Sequence, residues 1–289
     1  MKLTFGEKIF SVVNYILITL FMLACIYPFL YIVATSFSSN RAIVSGEVFL
    51  WPIEFSMEAY NQLLLDGQIF NSMRNTVLLT GVGTTLNMIC TILCAYALSK
   101  KRLDGRGFFM ALIVFTMMFS GGMIPNFLLI RSLRLMDSYW ALWLSGLQST
   151  YNMIVLRTFF QNIPDSLEEA AQIDGAEDPY ILVRIVLPLS GAAIATITLF
   201  YAVGWWNSYF APMLYISSAE KFPLMVRLRS MLDTARNMNI LNEMGEEVTV
   251  AQEAYRAASI LISTTPIICV YPFLQKYFIK GVMIGSLKG

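Results

Sequence analysis

Histidine is absent from all 289 residues, and charged residues make up only 13% of them. Without an imidazole, the side chain that most readily exchanges protons near neutral pH is missing. No Ser or Cys has a plausible activating neighbour, and no G-x-x-x-x-G-K-[ST] phosphate loop is present. The residues therefore offer no catalytic centre, and any ATP chemistry belongs to another chain. A formal net charge of +1 with no basic tract leaves nucleic acid without an electrostatic foothold. Cysteine is scarce as well: Cys25, Cys90, Cys94 and Cys269 all fall in apolar runs. Cys90 and Cys94 share a helix face, but a metal site needs further ligands, and no carboxylate lies near that face. These cysteines are read as packing residues, and no metal site is expected.

What is abundant is apolar surface, at 57% of residues, arranged in uninterrupted runs where a soluble core would show amphipathic periodicity. About 20 apolar residues cross roughly 30 Å of hydrocarbon as a helix. Six segments qualify, at about 10–34, 74–98, 108–130, 138–159, 189–211 and 257–278. The expected fold is an all-α integral membrane protein with six transmembrane helices in one domain spanning 1–289. The first run is too long for a secretory h-region and lacks a small-residue cleavage site, so it reads as a retained span. Lys2 and Lys8 precede span one, Lys100, Lys101, Arg102 and Arg106 separate spans two and three, and Lys276, Lys280 and Lys288 follow span six. The positive-inside rule places these, and both termini, in the cytoplasm. Almost no ionisable residue falls inside a span, which argues against an ion-coupled secondary carrier.

The polar stretch between spans four and five, about 163–188, carries the most information. Ser166 followed by Glu169 predicts a capping box, and Gly175 is placed to close the short helix in the left-handed conformation. Asp178 is expected to cap a second helix with Pro179 in its first turn. Glu168, Glu169 and Asp174 are expected in water or against basic partners, and Ala170 and Ala171 make a small face that another surface can approach closely. A membrane-surface helix is usually rich in Lys and Arg, whereas this one is acidic and alanine-rich.

Glu169-Ala170-Ala171, three residues, Gly175, nine residues, Ile185, one residue and Leu187-Pro188 resemble, without a gap, the EAA cytoplasmic loop signature of importer permeases in the ABC (ATP-binding cassette) superfamily. Asn71–Thr76, Ala95–Ser99, Asp137–Leu142, Phe200–Pro212 and Phe278–Gly289 look like matching segments of the carbohydrate-uptake branch. Within that branch the chain is similar to the second permease of maltose-type and complex-polysaccharide-type importers. The resemblance implies a coupling helix, with Glu168, Glu169, Ala170, Ala171, Asp174, Gly175 and Ala176 docking on a separate ATPase dimer that binds ATP and Mg. It also implies a second permease, an extracytoplasmic solute-binding protein, a carbohydrate substrate and a place in the cytoplasmic membrane. Permeases for polyamines, phosphate, amino acids or sulfate share the loop, and a channel or other carrier would not need it.

For the substrate path, amide and aromatic side chains suit the hydroxyls and C–H faces of a sugar. The candidates are Asn75, Asn126, Trp206, Asn207 and Tyr209. Asn75, Thr76, Thr84, Thr85 and Asn87 can equally bond between helices as structural glue. Gly121, Gly122 and Pro125 are expected to interrupt span three. The loop at about 213–256, with a short helix at Pro223–Leu232, and a smaller patch at 36–71 are expected outside, where the loop meets the binding protein.

Overall fold

The computed structural model describes residues 4–65, 67–119, 121–243 and 252–286, the side chains of 234–243 and 270–286 excepted. Lys2, Lys288, Glu246 and Glu247 lie outside the described residues, as do the side chains of Arg236, Glu243, Lys276 and Lys280. Every element among the described residues is helical: α1 Phe5–Ser36, α2 Asn40–Val44, α3 Glu58–Leu65, α4 Gln68–Ser99, α5 Arg106–Met118, α6 Met123–Ser132, α7 Tyr139–Ser145 and α8 Thr150–Gln161. There follow α9 Asp165–Ile173, α10 Asp178–Ile181, a π-turn at Leu182–Val186, α11 Leu187–Leu189, α12 Gly191–Trp206, α13 Phe210–Tyr215, a 3-10 turn at Ala219–Lys221, α14 Leu224–Glu243 and α15 Gln252–Ser286. Two of them, α1 and α4, are long and apolar enough to cross a membrane, and four spans result if each of two bent pairs counts as one.

Continuity is where expectation and structure part. The run at 108–130 breaks between Met118 and Met123, as the glycines predict: Gly122 takes φ +83° at the start of α6. The run at 138–159 is also broken, ending at Ser145 and restarting at Thr150. In 189–211 the helix stops at Trp206, with α13 beginning at Phe210. The segment expected at 257–278 lies within α15. The short helix expected at Pro223–Leu232 begins at Leu224 and runs to Glu243.

The chain divides into two compact units. One comprises Met1–Ile69 with Arg227–Thr265, and the other Phe70–Val226 with Pro266–Gly289. In the first, Leu63, Ile69, Met231, Tyr255 and Ala258 make an apolar core. The end of α1 is held by Tyr60, whose hydroxyl donates to Ser36 Oγ at 2.9 Å and whose ring stacks on Phe37 at 4.8 Å.

The second unit is built around α4. Near its C-terminal end Met88, Ala95, Tyr96 and Leu98 pack with Met153, Leu156 and Phe160 of α8, with Ile181 and Val186, and with Ile197 and Tyr201 of α12. Near its other end Leu79 packs with Ile130, Leu142, Trp143 and Tyr215. Beyond that cluster Asp137, itself at φ +59°, accepts from Ser217 N at 3.0 Å, Ser218 N at 2.9 Å, Ser218 Oγ at 2.6 Å and Lys221 Nζ at 2.7 Å. Lys221 and Ser218 hold this carboxyl well below the usual carboxylate range. Asn75 Nδ2 donates to the carbonyls of Glu220 at 2.6 Å and Phe222 at 3.3 Å, so this proposed path residue serves as a strut.

The break between α7 and α8 leaves backbone carbonyls without helical partners. Asn87, fully buried on α4, supplies the missing donors: its Nδ2 bonds the carbonyls of Gly146 and Leu147, both at 2.6 Å. Its Oδ1 accepts from Trp205 Nε1 at 2.5 Å. Tyr201 completes the staple, accepting from Ser149 N at 3.0 Å and forming a hydroxyl–hydroxyl hydrogen bond with Thr91 Oγ1 at 2.7 Å. The Trp205 indole lies so close to α4 that a Cβ on Gly83 would come within 2.6 Å of its ring. Gly83→Ala is expected to destabilise the unit by about 1–3 kcal/mol, the usual cost of overpacking. Gly81→Ala, with open space around its Cβ, is the control, and the apparent unfolding midpoint in detergent is the readout. Equal midpoints would mean that Trp205 yields freely.

Candidate functional site

The polar stretch forms a helix, a tight turn and a second helical run. The expected capping box is not formed. Asp165 already belongs to α9, whose cap is Pro164 with extended ψ 130° and no side-chain cap bond. Proline has no N–H to lose and stands naturally at the start of a helix. Ser166 therefore falls inside the first turn, where Asp165 and Glu168 complement the helix dipole. Likewise Asp178 is the first residue of α10 rather than its cap, which is Glu177.

The C-terminal end agrees with the sequence. Gly175 takes φ +81°, its N–H donates to Gln172 O at 3.0 Å, and Ala176 N donates to Ala171 O at 2.9 Å. This pair of bonds defines a Schellman closure. Ala171 and Ala176 both pack against the second unit's core, which fixes the turn from beneath. Ala170, Glu169, Asp174 and Gly175 are left exposed on the outside.

After the turn, α10 continues through the π-turn into α11. Pro188 has no N–H and its ring would collide with the carbonyl four residues back. The wider π-turn relieves that conflict, with Leu187 N bonding Leu182 O across five residues. At Ser190 the chain turns by 86° into α12. The segment 178–189 is thus a lever joined to α12 at a sharp elbow.

Three cations in the turn after α4 meet three carboxylates of the hairpin. Lys100 pairs with Glu168, their side chains only 15% and 13% exposed. The Lys100 ammonium also lies 4.2 Å from the centroid of the Tyr96 ring. Arg102 pairs with Asp178, and Tyr96 Oη donates to Asp178 O at 3.4 Å. Lys101 and Asp165 meet at 3.1 Å in full exposure, a contact of little energetic weight. Arg157 of α8 donates through Nε to Leu98 O at 2.9 Å, satisfying a carbonyl in the last turn of α4. Glu168, expected in water or against a basic partner, meets Lys100 of its own chain. Lys100 and Arg102 were legible only as topology markers; the signal for pairing was three cations facing Asp165, Glu168 and Asp178.

The remaining path candidates are spread over several elements. Asn126 is exposed in α6, Asn207 ends α12 and Tyr209 precedes α13. Trp206 lines a small apolar hollow with Thr80 and Pro266, and its Nε1 is buried without a partner among the described residues. No group of His, Cys, Asp and Glu able to hold a metal occurs among the described residues.

No protein-family model matches the chain. The polygalacturonan/rhamnogalacturonan transport system permease protein YtcP of Bacillus subtilis (strain 168) is 44% identical over 284 residues, covering 98% of this chain and 99% of the relative. Protein LplC of the same organism is 39% identical over 286 residues, covering 99% and 97%. Among solved structures, a chain of a bacterial ABC transporter involved in the import of the acidic polysaccharide alginate superposes with TM-score 0.88 at 37% identity, covering 96% of this chain and 99% of that one. The similarity spans nearly the whole chain, and the chain belongs to the carbohydrate-uptake branch of the ABC transporter permeases.

Proposed function

We propose that this chain is one of two different permease subunits in a binding-protein-dependent importer that moves an oligosaccharide across the cytoplasmic membrane. An ATPase dimer on the cytoplasmic side binds and hydrolyses ATP, and the permease itself is non-catalytic. Both termini and the hairpin are cytoplasmic, six spans cross the membrane in some form, and a solute-binding protein docks outside on 213–256 and 36–71. Exposed Val44, Trp51 and Leu65 in the smaller patch offer apolar contact for such a protein.

The observation that carries the coupling part is the hairpin's two-sidedness. Its inner face is packed and ion-paired to the permease, while Glu169, Ala170, Asp174 and Gly175 face outward, where a partner can press on them. ATPase closure moves α9, the rigid turn passes the motion to 178–189, and the elbow at Ser190 passes it to α12. Uronic-acid polymers are the favoured substrate class, because the named relative handles polygalacturonan and rhamnogalacturonan and the solved neighbour imports alginate. Of the path candidates, Trp206 is favoured, since its indole faces the hollow described above.

The test is ATPase activity of the purified complex, pulled down through a tag on this chain, with binding proteins loaded with oligogalacturonides, neutral oligosaccharides, polyamine or phosphate. Stimulation by an oligosaccharide-loaded binding protein is expected. Stimulation only by a non-sugar solute would overturn the substrate class, and recovery of the chain without an ATPase would overturn the importer.

A further inference from the structure

Taking the importer reading as given, we infer that the coupling hairpin drives α4 directly, through the Lys100–Glu168 pair and its Tyr96 platform, in addition to α12. Lys100 and Glu168 sit 68 residues apart in sequence. Both are largely withdrawn from water in a segment that otherwise faces it. Burying two charges carries a desolvation cost that their attraction only just offsets, so such a pair adds little stability while fixing one geometry. The Tyr96 ring behind the ammonium and the bond from Tyr96 Oη to Asp178 O tie both helices of the hairpin to the last turn of α4. Arg102 with Asp178 adds a second ionic tie to α10, and Arg157 fixes the same turn of α4 to α8.

A push on α9 is therefore delivered to two helices at once. The ties at Glu168 and Asp178 take it to α4, and the elbow at Ser190 takes it to α12. Because α4 also carries Asn87, which holds the break between α7 and α8, displacement of α4 reaches the non-helical backbone at 146–149. Lys100, Glu168 and Tyr96 are positioning residues in this scheme, since none of them needs to touch ATP or the solute.

The experiment compares sugar taken up per ATP hydrolysed in reconstituted complexes carrying the wild-type chain, Glu168→Gln, or the swapped pair Lys100→Glu with Glu168→Lys. Transport by the wild-type complex establishes the importer reading separately. Glu168→Gln is expected to hydrolyse ATP in response to the loaded binding protein but to lose about tenfold in sugar moved per ATP, and the swapped pair is expected to recover most of that loss. Should Glu168→Gln fail to accumulate, Lys100→Gln, which breaks the same pair from its other side, carries the same test. A normal ratio in the single variants, or a loss that the swapped pair shares in full, would overturn the inference. A loss of purified complex without change in the ratio would assign the pair a purely structural role and overturn it too.

Discussion

Asn87→Leu is expected to remove most of the correctly folded protein from the membrane. The two side chains share a branched four-atom skeleton, but three hydrogen bonds centred on the fully buried Asn87 disappear together and methyl groups take their place. The carbonyls of Gly146 and Leu147 and the indole N–H of Trp205 are left unpaired. Each such group costs about 1–3 kcal/mol, and the sum reaches a large part of the roughly 5–15 kcal/mol that holds a typical domain together. Abundance in the membrane and the apparent unfolding midpoint in detergent are the readouts. Asn87→Asp is the informative companion: the oxygen that receives Trp205 survives, but an acceptor oxygen replaces the donor to the two carbonyls in a fully buried site, so a defect at least as large is expected. Wild-type abundance and midpoint for Asn87→Leu would mean that the break at 146–149 is satisfied from elsewhere.

Gly175→Val is expected to leave the membrane core intact and to impair coupling. A Cβ at Gly175 meets nothing within 4 Å, so the penalty is conformational alone. At φ +81° an ordinary L-residue costs about 1–2 kcal/mol, and a β-branched one is a true outlier there. That is enough to shift the hairpin toward another turn, because the closure depends on only two backbone bonds, from Gly175 and Ala176. Uptake is expected to fall by about tenfold or more with the chain at normal abundance, ATPase activity persisting wherever the complex still assembles. Gly175→Asn should retain most of the uptake, since asparagine enters the left-handed region at modest cost. Equal uptake by Gly175→Val and wild type, at equal abundance, would sever the link between turn geometry and transport.

Local chemistry was legible in the sequence wherever one residue decides the backbone. Gly175 announced its turn, and Gly121 with Gly122 announced the break between α5 and α6, because a left-handed φ or a missing side chain acts where it stands. The start of α9 was misassigned for a related reason: two adjacent signals competed, and Pro164 prevailed over the Ser166–Glu169 capping box. The break between α7 and α8 did leave a local trace in Ser145-Gly146-Leu147-Gln148-Ser149-Thr150, where Gly146 ends one helix and Ser149 caps the next, but the apolar residues on either side masked it as one span. Its stability comes from Asn87, Tyr201 and Trp205, which are between 52 and 118 residues from their partners. The ties between Lys100, Arg102 and the hairpin are hidden in the same way, because the charge that marks a cytoplasmic loop is the same charge that makes an ion pair. Asn87 was at least visible as a polar residue in a span, where structural glue was among its readings.

The most direct test of coupling through the hairpin places a photoreactive benzophenone side chain at position 170, in place of the exposed Ala170 between Glu169 and Ala171. Illumination of membranes containing the assembled complex should join this chain to the ATPase subunit, and the yield should change between ATP-bound and nucleotide-free states. A side chain at position 170 that reaches only lipid or solvent, in a complex that still contains the ATPase, would contradict the account.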